Sequence, residues 1–208
     1  MKYREERKEV ASFMGRLYRH GLTTTSGGNI SLRVSDNEIV ITPSATDKGR
    51  MRWKDVGIIS FEGTNLTPGL KPSIESQMHL AIYRCRNVKA IVHAHPVFAT
   101  SFTAMKRKIC TTLTAEACAI LGDPAFVPYA LMGTTDLAAN VSEQIERSDI
   151  LLLENHGILA VGMDLLQAFD KIEVLENAAK MTVIVEMMGR KSPLSEARIG
   201  EINKLFRG

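Results

Sequence analysis

The sequence predicts a single α/β domain in which helices cover both faces of a sheet. Short β-branched runs, such as residues 88–92 and 150–154, alternate along the chain with longer stretches whose apolar residues recur at helical spacing. The chain has 208 residues, which suffices for one sizeable core and does not require a second. We therefore expect one domain spanning residues 1–208.

The N-terminal half begins with a predicted amphipathic helix over residues 4–20, which Gly21 ends. A turn-rich loop follows. Alternation and β-branched residues then predict short strands at 30–34, at 39–41 and near 58–59. Ser73 is the predicted N-cap of the next helix, and a strand leads into the histidines at 93 and 95.

In the C-terminal half, capping residues mark the predicted helices. The elements expected there are a helix over 114–121, an extended segment at 126–129, a helix capped by Thr134, strands at 150–154 and 158–161, a long helix from Asp164 to Gly189, and a final helix from Ser195. The final helix is expected to direct Ile199, Ile202 and Phe206 inward. Met181, Met187 and Met188 are interpreted as packing residues of the core or of a subunit interface.

Composition argues against several functional classes. The chain is 45% hydrophobic and 24% charged with a net charge of +3, and its basic residues form no aromatic-interleaved patch, so we expect no nucleic-acid partner. The N-terminus has no apolar leader segment and no run reaches membrane-spanning length. Three cysteines without CxxC spacing fit a reducing compartment. We therefore expect a cytoplasmic protein without a membrane partner.

Three of the five histidines stand in two short motifs, His93-Ala94-His95 and Glu154-Asn155-His156-Gly157. Positions i and i+2 of a strand face the same side, so His93 and His95 present two imidazoles to one volume. A third imidazole and a nearby carboxylate would complete the ligand set of a catalytic divalent metal. The alternative is that each histidine is an ordinary hydrogen-bonded residue. Our central hypothesis is a metalloenzyme, with Zn²⁺ as the expected ion and Mn²⁺ or Co²⁺ as alternatives.

Glu75 is the candidate carboxylate, both as a metal ligand and as a general acid or base. The alternative is a first-turn glutamate that the helix dipole favours. His79 lies four residues further along the same helix face. We interpret it as a residue that orients Glu75 or simply as packing, and not as a ligand.

Two loops and a helix start offer backbone N–H groups and hydroxyls that can hold a phosphate. The candidate residues are Gly28, Asn29, Ser44, Ala45 and Ser73. Each of these segments can also be no more than a turn. Neither loop matches a nucleotide-binding fingerprint, and no nucleophile motif accompanies the serines or cysteines.

The motifs together, in their order along nearly the whole chain, resemble the class II aldolase/adducin-head family. They are Gly28-Asn29, Ile41-Thr42-Pro43-Ser44, Lys71-Pro72-Ser73-Ile74-Glu75, the His-Ala-His strand, Val127-Pro128-Tyr129, Gly133-Thr134 and Glu154-Asn155-His156-Gly157. The resemblance implies a three-layer αβα sandwich with a central mixed, largely antiparallel sheet.

The resemblance also implies a zinc-dependent, reversible cleavage of a ketose 1-phosphate, such as L-fuculose 1-phosphate, to dihydroxyacetone phosphate and a short aldehyde. His93, His95 and His156 would bind the metal, and Glu75 would ligate the resting metal and act as acid/base. Asn29, Ser44, Ala45 and Ser73 would hold the phosphate. The family typically forms four-fold tetramers, so a homotetramer is expected.

The chain departs from the family pattern at several positions, which leaves other reactions open. Ile74 stands where a second serine is usual, and Ala45 replaces a glycine. In the family, the neighbouring subunit supplies a tyrosine to the site. The position of that tyrosine aligns near Thr114 in this chain, and the nearby Glu116 is a candidate proton donor in its place. The alternatives are a sugar-phosphate 4-epimerase, a methylthioribulose-1-phosphate dehydratase-like lyase, a decarboxylase of a phosphorylated oxo-acid, and a non-enzymatic scaffold.

Overall fold

The computed structural model describes residues 2–206. Seven strands form its sheet, and their bounds are β1 Asn29–Arg33, β2 Glu38–Ile41, β3 Gly57–Ser60, β4 Ala90–Ala94, β5 Ala125–Val127, β6 Ile150–Leu153 and β7 Gly157–Gly162. Their order across the sheet is β3-β2-β1-β4-β7-β6-β5. Every neighbouring pair is antiparallel except β5 and β6, which run parallel. The predicted mixed, largely antiparallel sheet is thus confirmed.

Seven α-helices accompany the sheet within residues 2–206. They are α1 Arg4–Arg19, α2 Ser76–Cys85, α3 Val97–Met105, α4 Ala115–Leu121, α5 Thr135–Ile145, α6 Leu165–Met187 and α7 Glu196–Phe206. Short 3-10 turns occupy Lys48–Arg50 and Trp53–Asp55. No helix in this part of the chain has both the length and the apolar content needed to cross a bilayer.

Strand alternation divides the interior into two cores, one on each face of the sheet. Helices α1, α3, α4 and α6 pack on the face that receives Val92, whereas α2 and α5 pack on the face that receives Ile91. Helix α7 lies outside this arrangement and packs against α4. The architecture is the three-layer αβα sandwich expected from the sequence.

Local capping explains where α4, α5 and α6 begin. Thr134 accepts a hydrogen bond from Leu137 N and Asp164 from Gln167 N, so both predicted N-caps are confirmed. Thr114, predicted only as the first residue of a helix, is likewise an N-cap and accepts from Ala117 N. Ser73 is not the N-cap of α2. That position is held by Glu75, while Ser73 accepts from Glu75 N at 3.2 Å in the turn before the helix.

One prediction about apolar residues is wrong, and a second loses one of its two alternatives. Phe206 is exposed, and no residue of α7 is fully buried, because this helix packs mainly against α4, outside the two cores of the sheet. Met187 and Met188 are 84% and 78% exposed, so they are not core residues of the protomer. Their assignment to a subunit interface stays a prediction.

Candidate metal centre

The end of β4 brings two imidazoles together, as the strand spacing predicts. His93 lies opposite Asn29 in the β1–β4 pairing and opposite Leu159 in the β4–β7 pairing, and it is fully buried. His95 follows the strand and its backbone N–H donates to Leu22 O. The Nε2 atoms of His93 and His95 are 3.0 Å apart.

The third imidazole comes from the tight turn between β6 and β7. Asn155 adopts a φ of 52°, a left-handed conformation that asparagine tolerates well, and His156 N donates to Leu153 O. This turn brings the His156 ring centroid to 4.8 Å from that of His93 and 5.6 Å from that of His95. One ligand nitrogen from each of the three histidines lies within 4.8 Å of the others.

Gly157 is required for this approach. A Cβ atom at this position would lie 2.7 Å from Ala94 O and 3.2 Å from His93 Cε1, and it would overlap His95 Cδ2. In the Glu-Asn-His-Gly motif, the turn therefore positions His156, and the glycine that follows is small enough to pack against His93 and His95.

Glu75 points into the same cluster from the start of α2. Its Oε1 lies 3.1 Å from His156 Nε2, and its Oε2 lies 3.5 Å from His93 Nε2. The side chain makes no capping hydrogen bond, so the reading of Glu75 as a dipole-favoured helix residue does not account for its orientation. The structure brings together all four candidate ligands named from the sequence.

Hydrogen bonding and burial set the protonation of the histidines. His93 Nδ1 lies 2.8 Å from Ile158 O, a pure acceptor, so the proton is on Nδ1 and the Nε2 lone pair faces the cluster. Burial lowers the pKa of His93 to about 4 and that of His95 to about 3, so both are neutral near pH 7. Burial raises the pKa of Glu75, but the adjacent His93 and His156 and the Asn29 amide outweigh it and lower that pKa well below its usual value.

The donor set fits a divalent cation. The buried Oε1 of Glu75 lies 3.1 Å from His156 Nε2 but has hydrogen-bond geometry with no residue between 2 and 206, and the His93 lone pair converges on the same region. Such a concentration of unshared lone pairs is unfavourable unless a cation sits among them. Three imidazoles and one carboxylate are ligands typical of Zn²⁺ and its first-row neighbours.

Glu75 is connected to a series of buried hydrogen bonds that runs through Asn29, His79 and Ser31 to Tyr83. Asn29 Nδ2 donates to Glu75 Oε2 at 2.7 Å, and Asn29 Oδ1 bonds to His79 Nε2. His79 Nδ1 is 2.7 Å from Ser31 Oγ, which is 2.9 Å from the Tyr83 hydroxyl. His79 thus acts on Glu75 through Asn29. The spacing of these residues in the sequence is a signal for this set of hydrogen bonds, since residues 75, 79 and 83 share a helix face and residues 29 and 31 share a strand face.

The candidate phosphate residues lie on adjoining segments. Ser44 Oγ donates to Pro72 O at 3.1 Å and accepts from Ile74 N at 3.0 Å, which joins the 43–46 loop to the turn containing Ser73. Ala45 has a φ of 50°. Gly28 (φ 66°) passes so close to β4 that a Cβ there would lie 2.7 Å from His93 O. The amide nitrogen of Asn29 is directed to Glu75, a contact that the sequence did not predict.

Glu116 lies elsewhere in the protomer. It is exposed on α4, which packs on the sheet face opposite to the one that carries Glu75. Its assignment as a proton donor stays a prediction that concerns a neighbouring subunit.

With this fold and site, the chain belongs to the class II aldolase family: the family described as "Class II Aldolase and Adducin N-terminal domain" matches residues 8–183. The chain is similar to the L-fuculose phosphate aldolase of Methanococcus maripaludis, with 40% identity over 170 residues that cover 81% of this chain and 91% of that protein. Such membership supports a lyase that acts on sugar phosphates.

Two further similar proteins are named for two different reactions. A 3-oxo-tetronate 4-phosphate decarboxylase from Haemophilus influenzae is 33% identical over 180 residues, covering 84% of this chain and 85% of that protein. A solved structure of an L-fuculose 1-phosphate aldolase superposes with a TM-score of 0.91 at 29% identity, covering 100% of this chain and 99% of that one.

Proposed function

We propose that this protein is a zinc-dependent aldolase that reversibly cleaves a ketose 1-phosphate, such as L-fuculose 1-phosphate, to dihydroxyacetone phosphate and a short aldehyde. The observation that carries the proposal is the convergence of His93, His95, His156 and Glu75 at the end of β4. The relatives named as L-fuculose phosphate aldolases support the choice of reaction.

The three histidines and Glu75 would hold the cation. The ion, when bound, supplies Lewis-acid chemistry that stabilises negative charge developing on substrate oxygens. Zn²⁺ is favoured over Mn²⁺ or Co²⁺ because three nitrogen donors bind it strongly and because its affinity exceeds theirs for most such sites.

Glu75 acts as the general acid and base. Its carboxylate takes a proton from the substrate hydroxyl during cleavage, or returns one to the carbon that loses its partner. The hydrogen bond from Asn29 leaves Oε1 as the atom free to exchange this proton. Because its orientation is fixed in this way, Glu75 can exchange a proton with the substrate without first rearranging its carboxylate.

The phosphate group would be held by Gly28, Asn29, Ser44, Ala45 and Ser73. This contact makes and breaks no bonds, and its contribution is to orient the sugar toward Glu75. The link between Ser44 and Ile74 N supports the assignment, because it holds the two hydroxyl-bearing segments side by side.

A decarboxylase of a phosphorylated oxo-acid is the second candidate. It is favoured by the relative named 3-oxo-tetronate 4-phosphate decarboxylase, which matches most of this chain. Loss of carbon dioxide from such an acid also leaves negative charge next to a carbonyl group, so the same ligands serve both reactions.

Product analysis of the metal-loaded protein separates these reactions. We expect coupled detection to show dihydroxyacetone phosphate released from a ketose 1-phosphate. Release of carbon dioxide from 3-oxo-tetronate 4-phosphate without such cleavage would favour the decarboxylase. A changed ketose without either product would favour an epimerase or a dehydratase.

We further propose a cytoplasmic homotetramer. The exposed Met181, Met187 and Met188 at the C-terminal end of α6 supply an apolar surface suited to a subunit contact, and three cysteines without CxxC spacing fit a reducing compartment. Light scattering of the purified protein tests the subunit number, and a monomer mass would remove the homotetramer from the proposal.

A further inference from the structure

We propose that Lys48 is the charge partner of the substrate's phosphate group, a binding residue beneath the 43–46 loop. This inference rests on the proposed function. Lys48 is 1% exposed and is among the largest fully buried side chains of the protein. Its Nζ atom donates to Pro43 O at 2.6 Å and lies 3.5 Å from Thr46 Oγ1.

The ammonium group has no acidic partner in the protein. None of the ion pairs between residues 2 and 206 includes Lys48, and the neighbouring Asp47 instead accepts from Gly49 N at 3.0 Å and lies 3.8 Å from Arg50. A buried charge without a counter-ion is costly, and a neutral donor would hold Pro43 O at lower cost. Such a charge is best explained when the counter-ion arrives with a ligand.

Burial lowers the pKa of Lys48 to about 8, so the amine still carries its proton over most of the population at neutral pH. A compact ammonium suits a phosphate, which it binds as a point charge. Because Lys48 itself is buried, its attraction to a dianion is screened less than that of a surface lysine.

The backbone around Lys48 connects both halves of the proposed phosphate site. Lys48 N donates to Thr25 O, which ties the 43–48 segment to the loop that precedes Gly28. On its other side, Ser44 Oγ joins the same segment to the turn containing Ser73. The lysine therefore lies at the junction of the two loops that would enclose the anion.

The test is the binding of inorganic phosphate to the full chain, by calorimetry, both metal-loaded and after chelation so that binding to the metal is recognised. In Lys48→Gln, the amide keeps a donor for Pro43 O but removes the charge. We expect the phosphate Kd to rise about 30-fold or more in this variant. Lys54→Gln, which removes an exposed lysine on the next 3-10 turn, should change the Kd by less than about 3-fold.

Thermal unfolding gives an independent readout. Without phosphate, Lys48→Gln should unfold at the same temperature as the parent or higher, because a buried charge has been removed. With phosphate, the parent should gain stability and the variant should not. A lysine that only ties the loop would show a lower unfolding temperature in Lys48→Gln and an unchanged gain from phosphate.

Lys48→Arg covers the case in which the neutral variant does not fold. It keeps the charge, and its phosphate Kd should stay within about tenfold of the parent value. Equal phosphate binding by the parent and Lys48→Gln would overturn the role of Lys48 while leaving the proposed aldolase intact. A parent that binds no phosphate would overturn both the role of Lys48 and the phosphate site of the proposed function.

Discussion

The hydrogen bond between His79 Nε2 and Asn29 Oδ1 fixes the orientation of the Asn29 side-chain amide. The carboxylate of Glu75 can only accept, so Asn29 presents Nδ2 to it and turns Oδ1 toward His79, whose Nε2 must then carry the proton. His79 Nδ1 consequently accepts from Ser31. The Tyr83 hydroxyl lies 2.9 Å from Ser31 Oγ and also donates to Lys89 O at 3.2 Å, so its one proton is shared between these two acceptors. From Ser31 through His79 to Asn29, each group therefore donates its proton in the direction of Glu75.

His79→Leu should lower turnover by about 10–100-fold, because Asn29 loses its donor and can rotate its carbonyl oxygen toward Glu75. Metal content should stay unchanged, since His79 is not a ligand. His79→Gln, whose amide can donate to Asn29, should recover part of the activity. Steady-state kinetics with metal analysis checks this, and full activity in His79→Leu would show that His79 only fills space.

His95→Ala should lose the metal and the activity while keeping its fold. Removing one of three converging imidazoles leaves an incomplete ligand set, and His95 follows β4 rather than forming part of it, so the sheet should tolerate the change. Metal stoichiometry of untagged protein is the measurement. His20→Ala, which removes an exposed histidine paired with Glu173 at 2.6 Å, is the control and should keep its metal. Full stoichiometry in His95→Ala would contradict the ligand assignment.

Glu75→Gln should retain part of the metal but lose turnover by roughly two to four orders of magnitude, the usual scale for a general acid or base. The comparison is Glu154→Gln, which removes a carboxylate that pairs with Lys106 at 2.8 Å two residues from His156. That control should remain within a few-fold of the parent by the usual behaviour of surface pairs. Normal turnover in Glu75→Gln would remove the acid/base role.

Gly157→Ala should weaken metal binding and destabilise the protein, since its Cβ would overlap the His95 ring and press on Ala94 O. We expect a loss of about 1–3 kcal/mol in unfolding free energy, the range for overpacking a tight site. Gly200→Ala in α7 meets no atom within 4 Å and should be neutral or stabilising. Urea unfolding compares the two, and equal stabilities would contradict the crowding at Gly157.

The metal-free protein should lose stability as the pH falls from 7 toward 4. The pKa values of His79, His93 and His95 are lowered to about 4, 4 and 3 by burial, below the unfolded value. The unfolded chain therefore binds more protons than the folded protein between pH 7 and pH 4. Each additional proton lowers the free energy of unfolding by up to about 1.4 kcal/mol for every pH unit of acidification. Urea unfolding in chelator at pH 7, 6 and 5 measures the slope. A stability independent of pH would mean that these imidazoles titrate normally when folded.

The sequence predicts the elements whose signals are local. Helices α5 and α6 follow from Thr134 and Asp164, because an N-cap and its helix are adjacent in the chain. Helix α3 escaped prediction because its cap comes from another helix. Glu176 of α6 accepts from Phe98 N and Ala99 N, at 3.2 and 2.8 Å, in place of a local capping side chain.

The same distinction applies to the site. The pairing of His93 with His95 follows from strand alternation alone, and it is confirmed in the structure. The contact of Asn29 with Glu75 depends on how β1 and α2 pack, so no sequence spacing expresses it. Lys48 likewise reads as an ordinary surface lysine until the fold buries it.

The candidate ligands come from three separate chain segments, and the pairing of β4 with β7 is what unites His93 with the turn that carries His156. A nascent chain thus has no ready-made binding site to offer. Binding of an ion at this site would therefore depend on folding, and the folded site would bind whichever suitable cation is available.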